Sequence, residues 1–284
     1  MISRYSSVFT AIVTTQLVGL AGTLILLAAS AEPLPGTSSL LYAAAASVVG
    51  VTGLGLFYHA LSRGTMGVIA PLAALIGAGL PVLLAIYNGE QVPALRWSGI
   101  VIALGAVVLI SLPGGERTSG ERRRRRVDLG ELPLVVLSGL GFAGFFIFID
   151  RATSAGETWW PMTVVRTVGT MMVLGATAIA ILRADGPSLR ERAVHVLGLR
   201  RLRGRSMAGI SLLAVFVVAG MGDLGGNVFF VLAKHAGAFS VAVVLSSLYP
   251  VVTAIIARLV LNERLRPLQL AGVALAAVSI PLLR

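Results

Sequence analysis

Four polar side chains stand out because the sequence sets each of them in an apolar run. Asp223 lies deep in the string GMGDLGGNVFF, and Asn227 follows one helical turn later, so both fall on one helix face. Arg166 stands about seven residues inside a second run, and Gln16 is alone in TTQLVGL. A charge at the centre of a membrane span costs about 2.5–3.5 kcal/mol on insertion scales, so each such group should face protein or water. Asp223 has two readings. It either binds substrate or exchanges a proton, or it serves a structural ion pair with Arg166. Arg166 could hold an anionic substrate group, balance Asp223, or extend its head to the interface. Gln16 faces either a cavity or another helix.

A second group sits in LSSLYPVV. Pro250 removes a backbone hydrogen bond in mid-helix and permits a kink, which suits either a gate or a packing bend. Tyr249 beside it and Ser246 before it are candidates to line a cavity; a serine there can also simply bond its own backbone. Glu90 and Glu263 each precede an apolar run, where the helix dipole favours negative charge, and both read as structural turn caps. Histidines at 59, 195 and 235 are too scattered for a metal site, and the chain has no cysteine. No metal and no cofactor is expected. The phosphate-loop pattern G-K-[ST] is absent, which argues against ATP-driven transport within this chain. An enzyme in the bilayer would need converging nucleophile and base groups, and one deep carboxylate does not supply them. The chain reads as not an enzyme.

The elements that must position these groups are spans. Of 284 residues, 56% are hydrophobic and 12% charged, and the mean hydropathy is +0.91. Soluble proteins carry about 25% charged residues. Nine apolar segments are near the ~20 residues a spanning helix needs. They are Val8–Ala29, Leu40–Leu61, Met66–Tyr87, Trp97–Leu112, Leu132–Ile149, Trp159–Leu182, Gly209–Ala233, Phe239–Leu261 and Leu268–Leu283. An all-α polytopic membrane protein is expected, with the lipid bilayer as its surrounding.

The net charge of +11 follows topology rather than nucleic-acid binding. Placing the 113–131 loop in the cytoplasm, and alternating from there, puts 17 basic residues on that side and 4 on the other. Loops 113–131, 183–208 and 261–267 are then expected in the cytoplasm, and a bacterial-type plasma membrane is the membrane expected. The run Arg122 to Arg126 reads as a topogenic anchor in a basic linker.

One unit occurs twice. Residues 237–283 fit 64–110 without a gap at an offset of 173, with Gly64 on Gly237, Glu90 on Glu263 and Gly99 on Gly272. An odd number of spans separates equivalent points, so the copies should be inverted, an arrangement of alternating-access carriers. The first repeat covers 1–112, the basic linker 113–131, and the second repeat 132–284. The first holds four segments and the second five. Arg4 stands ahead of its segment much as Arg166 stands in its own, which predicts that roughly thirty residues, one helix, are missing upstream of Met1.

The segment SSLYPVVTAIIARLVLNERLRPLQLAGVALA, residues 246–276, resembles the EamA-type ten-helix carriers of the drug/metabolite transporter superfamily. Pro250, Glu263, Gln269 and Gly272 match the family pattern, and Glu90 and Gly99 repeat it in the first copy, where Gly77 replaces the proline. The resemblance implies two inverted five-helix bundles around a central cavity that moves small polar or amphipathic metabolites, and many such carriers are exporters. A secondary transporter of a small-molecule substrate, with proton coupling through Asp223, is the function expected. The alternative is a non-transporting membrane scaffold or subunit. No nucleic-acid partner is expected, and a second copy of the chain is the protein partner in view.

Overall fold

A computed structural model describes residues 8–63, 66–111, 132–183, 188, 191, 206–260 and 266–283. Ten helices and no strand occur among them. In chain order these are α1 Val8–Ser30, α2 Thr37–Arg63, α3 Met66–Tyr87, α4 Ala94–Ser111, α5 Leu132–Ala152, α6 Trp159–Arg183, α7 Ser206–Ala236, α8 Phe239–Ser247, α9 Tyr249–Val260 and α10 Pro267–Leu282. Eight helical stretches among the described residues are long and apolar enough to cross a membrane. The ninth segment expected from sequence appears as α10, which has 16 residues. The chain is an all-α polytopic membrane protein in contact with the lipid bilayer. Ile25, Val218, Phe229 and Leu259 are all more than two-thirds exposed. That is stable only where the solvent is as apolar as they are. The 113–131 linker, Glu263 and most of the 183–208 and 261–267 loops lie outside the described residues.

The chain forms two compact units, Met1–Val48 with Arg151–Phe229, and Val49–Asp150 with Phe230–Arg284. Each takes residues from both sides of the linker. Helices α2, α5 and α7 are divided between them.

In the first unit α1 packs along α6. Helix α1 ends where Ala31 turns to a positive φ of 48° and Pro33 and Pro35 follow, since proline cannot donate to a continuing helix. The carboxylate of Glu32 then accepts the N–H groups of Thr158, Trp159 and Trp160 at 2.7, 2.8 and 2.9 Å. The indole N–H of Trp160 donates to the Glu32 carbonyl oxygen at 3.0 Å. These are the donors that the first turn of α6 cannot satisfy itself, and a carboxylate there also meets the positive end of the helix dipole. Glu32 fixes where α6 begins.

In the second unit α4 packs along α10, and α3 along α8. Both pairs join repeat equivalents at the 173-residue offset. A Cβ on Gly99 would stand 3.0 Å from Leu282 and 3.1 Å from Leu283, and one on Gly272 would stand 2.6 Å from Ile110. Gly99 is the equivalent of Gly272, and Ile110 of Leu283. The start of each helix therefore meets the end of the other, so α4 and α10 run antiparallel, as inverted copies require. Core positions are often alanine, such as Ala60, Ala73, Ala103 and Ala106, all at 0% exposure. Small side chains let backbones approach where no water drives the helices together. Helix α3 stops at Gly89, whose φ of 95° glycine adopts at no steric cost. Bonds from Gly89 N to the Ile86 oxygen and from Glu90 N to the Ala85 oxygen close this C-terminus at 2.9 and 3.0 Å.

Candidate functional site

The first unit gathers a polar cluster from three helices. Helix α6 carries Arg166, whose side chain is 5% exposed. Its Nη1 forms an ion pair with Asp223 Oδ2 of α7 and donates to Gln16 Oε1 of α1 at 3.1 Å. Asp223 is 51% exposed, so the guanidinium is the enclosed partner and the carboxylate the open one. Asn227 is half-buried, one turn beyond Asp223 on the same helix.

The backbone makes room for this cluster. A Cβ on Gly19 of α1 would stand 3.2 Å from Cζ and Nε of Arg166, so the guanidinium packs into the space that the missing side chain leaves. On α7, a Cβ at Gly220 would stand 2.8 Å from Val18 and 3.1 Å from the Thr15 carbonyl oxygen. That close crossing of α1 and α7 is one turn before Asp223 and on the same face. The Ser47 hydroxyl donates to the Val165 carbonyl oxygen at 2.7 Å and ties α2 to α6 beside Arg166.

The arginine is only partly used. Among the described residues, its Nε and Nη2 are buried without a hydrogen-bond acceptor, and the hydroxyls of Thr163 and Thr170 are buried without a partner. Thr163, Arg166 and Thr170 follow one stripe of α6, one turn apart. Other threonines on the helix satisfy themselves. Thr167 and Thr177 donate to the Thr163 and Val173 carbonyl oxygens, four residues back, at 2.8 and 2.7 Å. What the cluster can do chemically is hold negative charge with a fork of N–H donors, of which Asp223 engages one.

Ser246, Tyr249 and Pro250 belong to the second unit. The span there breaks at Leu248, between α8 and α9. Pro250 has no N–H for the Ser246 carbonyl, and the chain tightens instead, with Leu248 N bonding the Leu245 oxygen at 3.2 Å and Val251 N the Leu248 oxygen at 2.9 Å. Tyr249 is 55% exposed and Ser246 half-buried. Glu90 acts on a helix distant in sequence. Its carboxylate accepts the Ser240 N–H at 3.3 Å and the Ser240 hydroxyl, at the first turn of α8 rather than of α4, which starts at Ala94.

Sequence reasoning had no reading for Gly19, Thr163, Thr170 and Glu32. It also passed over the pair at the helix ends, where Lys234 Nζ lies 3.1 Å from Asp150 Oδ1 and 2.9 Å from the Asp150 carbonyl oxygen. A lysine at that carbonyl meets the negative end of the α5 dipole. Among the described residues no three His, Asp or Glu side chains gather as a metal site.

Residues 130–284 match the EamA-like transporter family. A comparison with curated proteins gives no match. Among solved structures, one described as "Crystal structure of protein" matches with a TM-score of 0.60 at 16% identity, covering 96% of this chain and 86% of that one. At that identity the likeness shows the fold.

Proposed function

Given that this chain belongs to the EamA-like transporter family, we propose that it is a secondary transporter that exports a small metabolite or drug-like compound by alternating access. The observation that carries this reading is the Arg166–Asp223 pair with Gln16 beside it, a charged cluster built into apolar spans. A buried guanidinium needs its anion, and a carboxylate in a span needs a counter-charge, a proton or water. Opening the pair therefore couples ligand binding to proton uptake at Asp223, and closing it releases the proton. Asn227 extends the polar face toward the substrate. In the second unit, the break at Pro250 supplies the hinge of a gate, and Ser246 and Tyr249 beside it are the polar groups proposed to meet substrate there.

The two inverted repeats, 1–112 and 132–284, supply the alternating halves. The arginine bias places the 113–131, 183–208 and 261–267 loops in the cytoplasm of a bacterial-type plasma membrane. Export is the direction the family resemblance implies. A second copy of the chain is the proposed protein partner.

Reconstitution tests the reading. Proteoliposomes loaded with labelled amino acids, sugars, nucleobases or cationic drugs should lose one class faster than empty-membrane controls, with a rate that follows an imposed pH gradient. Asp223→Asn should abolish the dependence on the gradient. Flux equal to the controls for every class would refute transport. Gradient-dependent flux that survives in Asp223→Asn would refute the coupling alone.

A further inference from the structure

The geometry points to a substrate carboxylate as the group that Arg166 recognises, received on its unused Nε–Nη2 edge between the Thr163 and Thr170 hydroxyls. This deepens the transport reading and rests on it. Four buried donor groups on one stripe of α6 have no acceptor among the described residues: Arg166 Nε and Nη2, and the two threonine hydroxyls. An arginine offers donors only, and its Nε–Nη2 side is a planar fork that fits the two oxygens of a carboxylate. The threonines add hydroxyls that can turn toward the same anion. They have not taken the backbone bond that Thr167 and Thr177 make. An amine or ammonium ligand would bring further donors to a surface that already has too many.

Charge gives the same answer. Arg166 and Asp223 together are neutral. A cation seated on Asp223 would draw that carboxylate away from a guanidinium that is 5% exposed, leaving positive charge enclosed. A carboxylate on the free edge leaves the guanidinium compensated throughout, and releases the half-exposed Asp223 to become the neutral partner. Asp223 thus acts as an internal stand-in for the ligand.

Thermal denaturation of the purified full chain in detergent tests this with benzoate and pyruvate, their neutral counterparts benzamide and methyl pyruvate, and benzylamine as the cation. The two carboxylates should raise the Tm saturably and the other three should not. The double variant Thr163→Val, Thr170→Val keeps the ion pair and should weaken apparent carboxylate affinity by about tenfold. Arg166→Lys keeps the charge but loses the fork, and should weaken it as well. Asp223→Asn should bind benzoate more tightly than the parent, because its stand-in is gone. Stabilisation by benzylamine, lost in Asp223→Asn, would overturn the carboxylate assignment and leave transport standing. No shift with any probe, or a carboxylate shift unchanged in the threonine double variant and in Arg166→Lys, would also overturn it. The proteoliposome flux then decides the transport reading separately.

Discussion

The two members of the ion pair are not equivalent, and substitution should show it. Asp223→Asn leaves an enclosed guanidinium without its counter-charge, whereas Arg166→Gln leaves a carboxylate that is half exposed rather than enclosed. The first should destabilise by about 2–4 kcal/mol and the second by about 1–2 kcal/mol, measured as the drop in thermal or denaturant stability in detergent. Gly19 should be nearly as sensitive. Its Cβ would press on the Arg166 guanidinium, so Gly19→Ala should cost about 1–3 kcal/mol. Gly222→Ala, with no neighbour within 4 Å of its Cβ, should be neutral or gain up to about 1 kcal/mol from better helix propensity. Equal effects at the two glycines would contradict the packing described around Arg166. Arg166, Asp223 and Gln16 could be read from sequence, because polar groups in apolar runs announce themselves by their cost. That Arg166 meets Asp223 could be read only as one option, and that Gln16 joins them could not be read at all. Gly19 was illegible, since one glycine among many says nothing of the side chain it faces. Thr163 and Thr170 were illegible because a threonine in a span normally bonds its own backbone, and only coordinates show which do not.

Helices here are placed by groups far away in sequence. Glu32, 126 residues before its first partner, holds three N–H groups at the start of α6. Glu32→Ala should cost about 1–2 kcal/mol, and Glu32→Gln less, because its amide oxygen still accepts. Circular dichroism during thermal unfolding would register both, and an unchanged Tm in Glu32→Ala would remove the cap from the account. In the α8–α9 span, Pro250→Ala restores the N–H that the Ser246 carbonyl lacks. With the break as the proposed hinge, stability should rise while flux falls. If flux were unaffected, the break would be a packing bend. The kink was legible at Pro250 because the physics is local. The helix capped by Glu32 was not, because a carboxylate between Ala31 and Pro33 looks like loop sequence until its partner is known. Glu90 shows the same limit: a helix start was the right kind of place, but the helix is α8 and not the one that follows it.

At the scale of the whole molecule, the repeat was the most legible feature. The 173-residue offset sets Gly99 on Gly272 and Ile110 on Leu283, and the structure uses those equivalents reciprocally at the α4–α10 crossing. Hydropathy and repetition are properties of long windows, so they survive without coordinates, whereas the division into two compact units depends on contacts that no window contains. Inverted copies suggest a carrier that opens to each side in turn. The absence of cysteine makes that directly measurable. Asn227→Cys places the chain's one thiol a turn from Asp223, and a membrane-impermeant maleimide can be applied to right-side-out and to inside-out vesicles. Labelling from both sides is the expected result, at rates that shift in opposite senses when the pH gradient is reversed. Labelling from one side alone, indifferent to the gradient, would mean that the cluster never changes its exposure, and would contradict alternating access around Arg166 and Asp223.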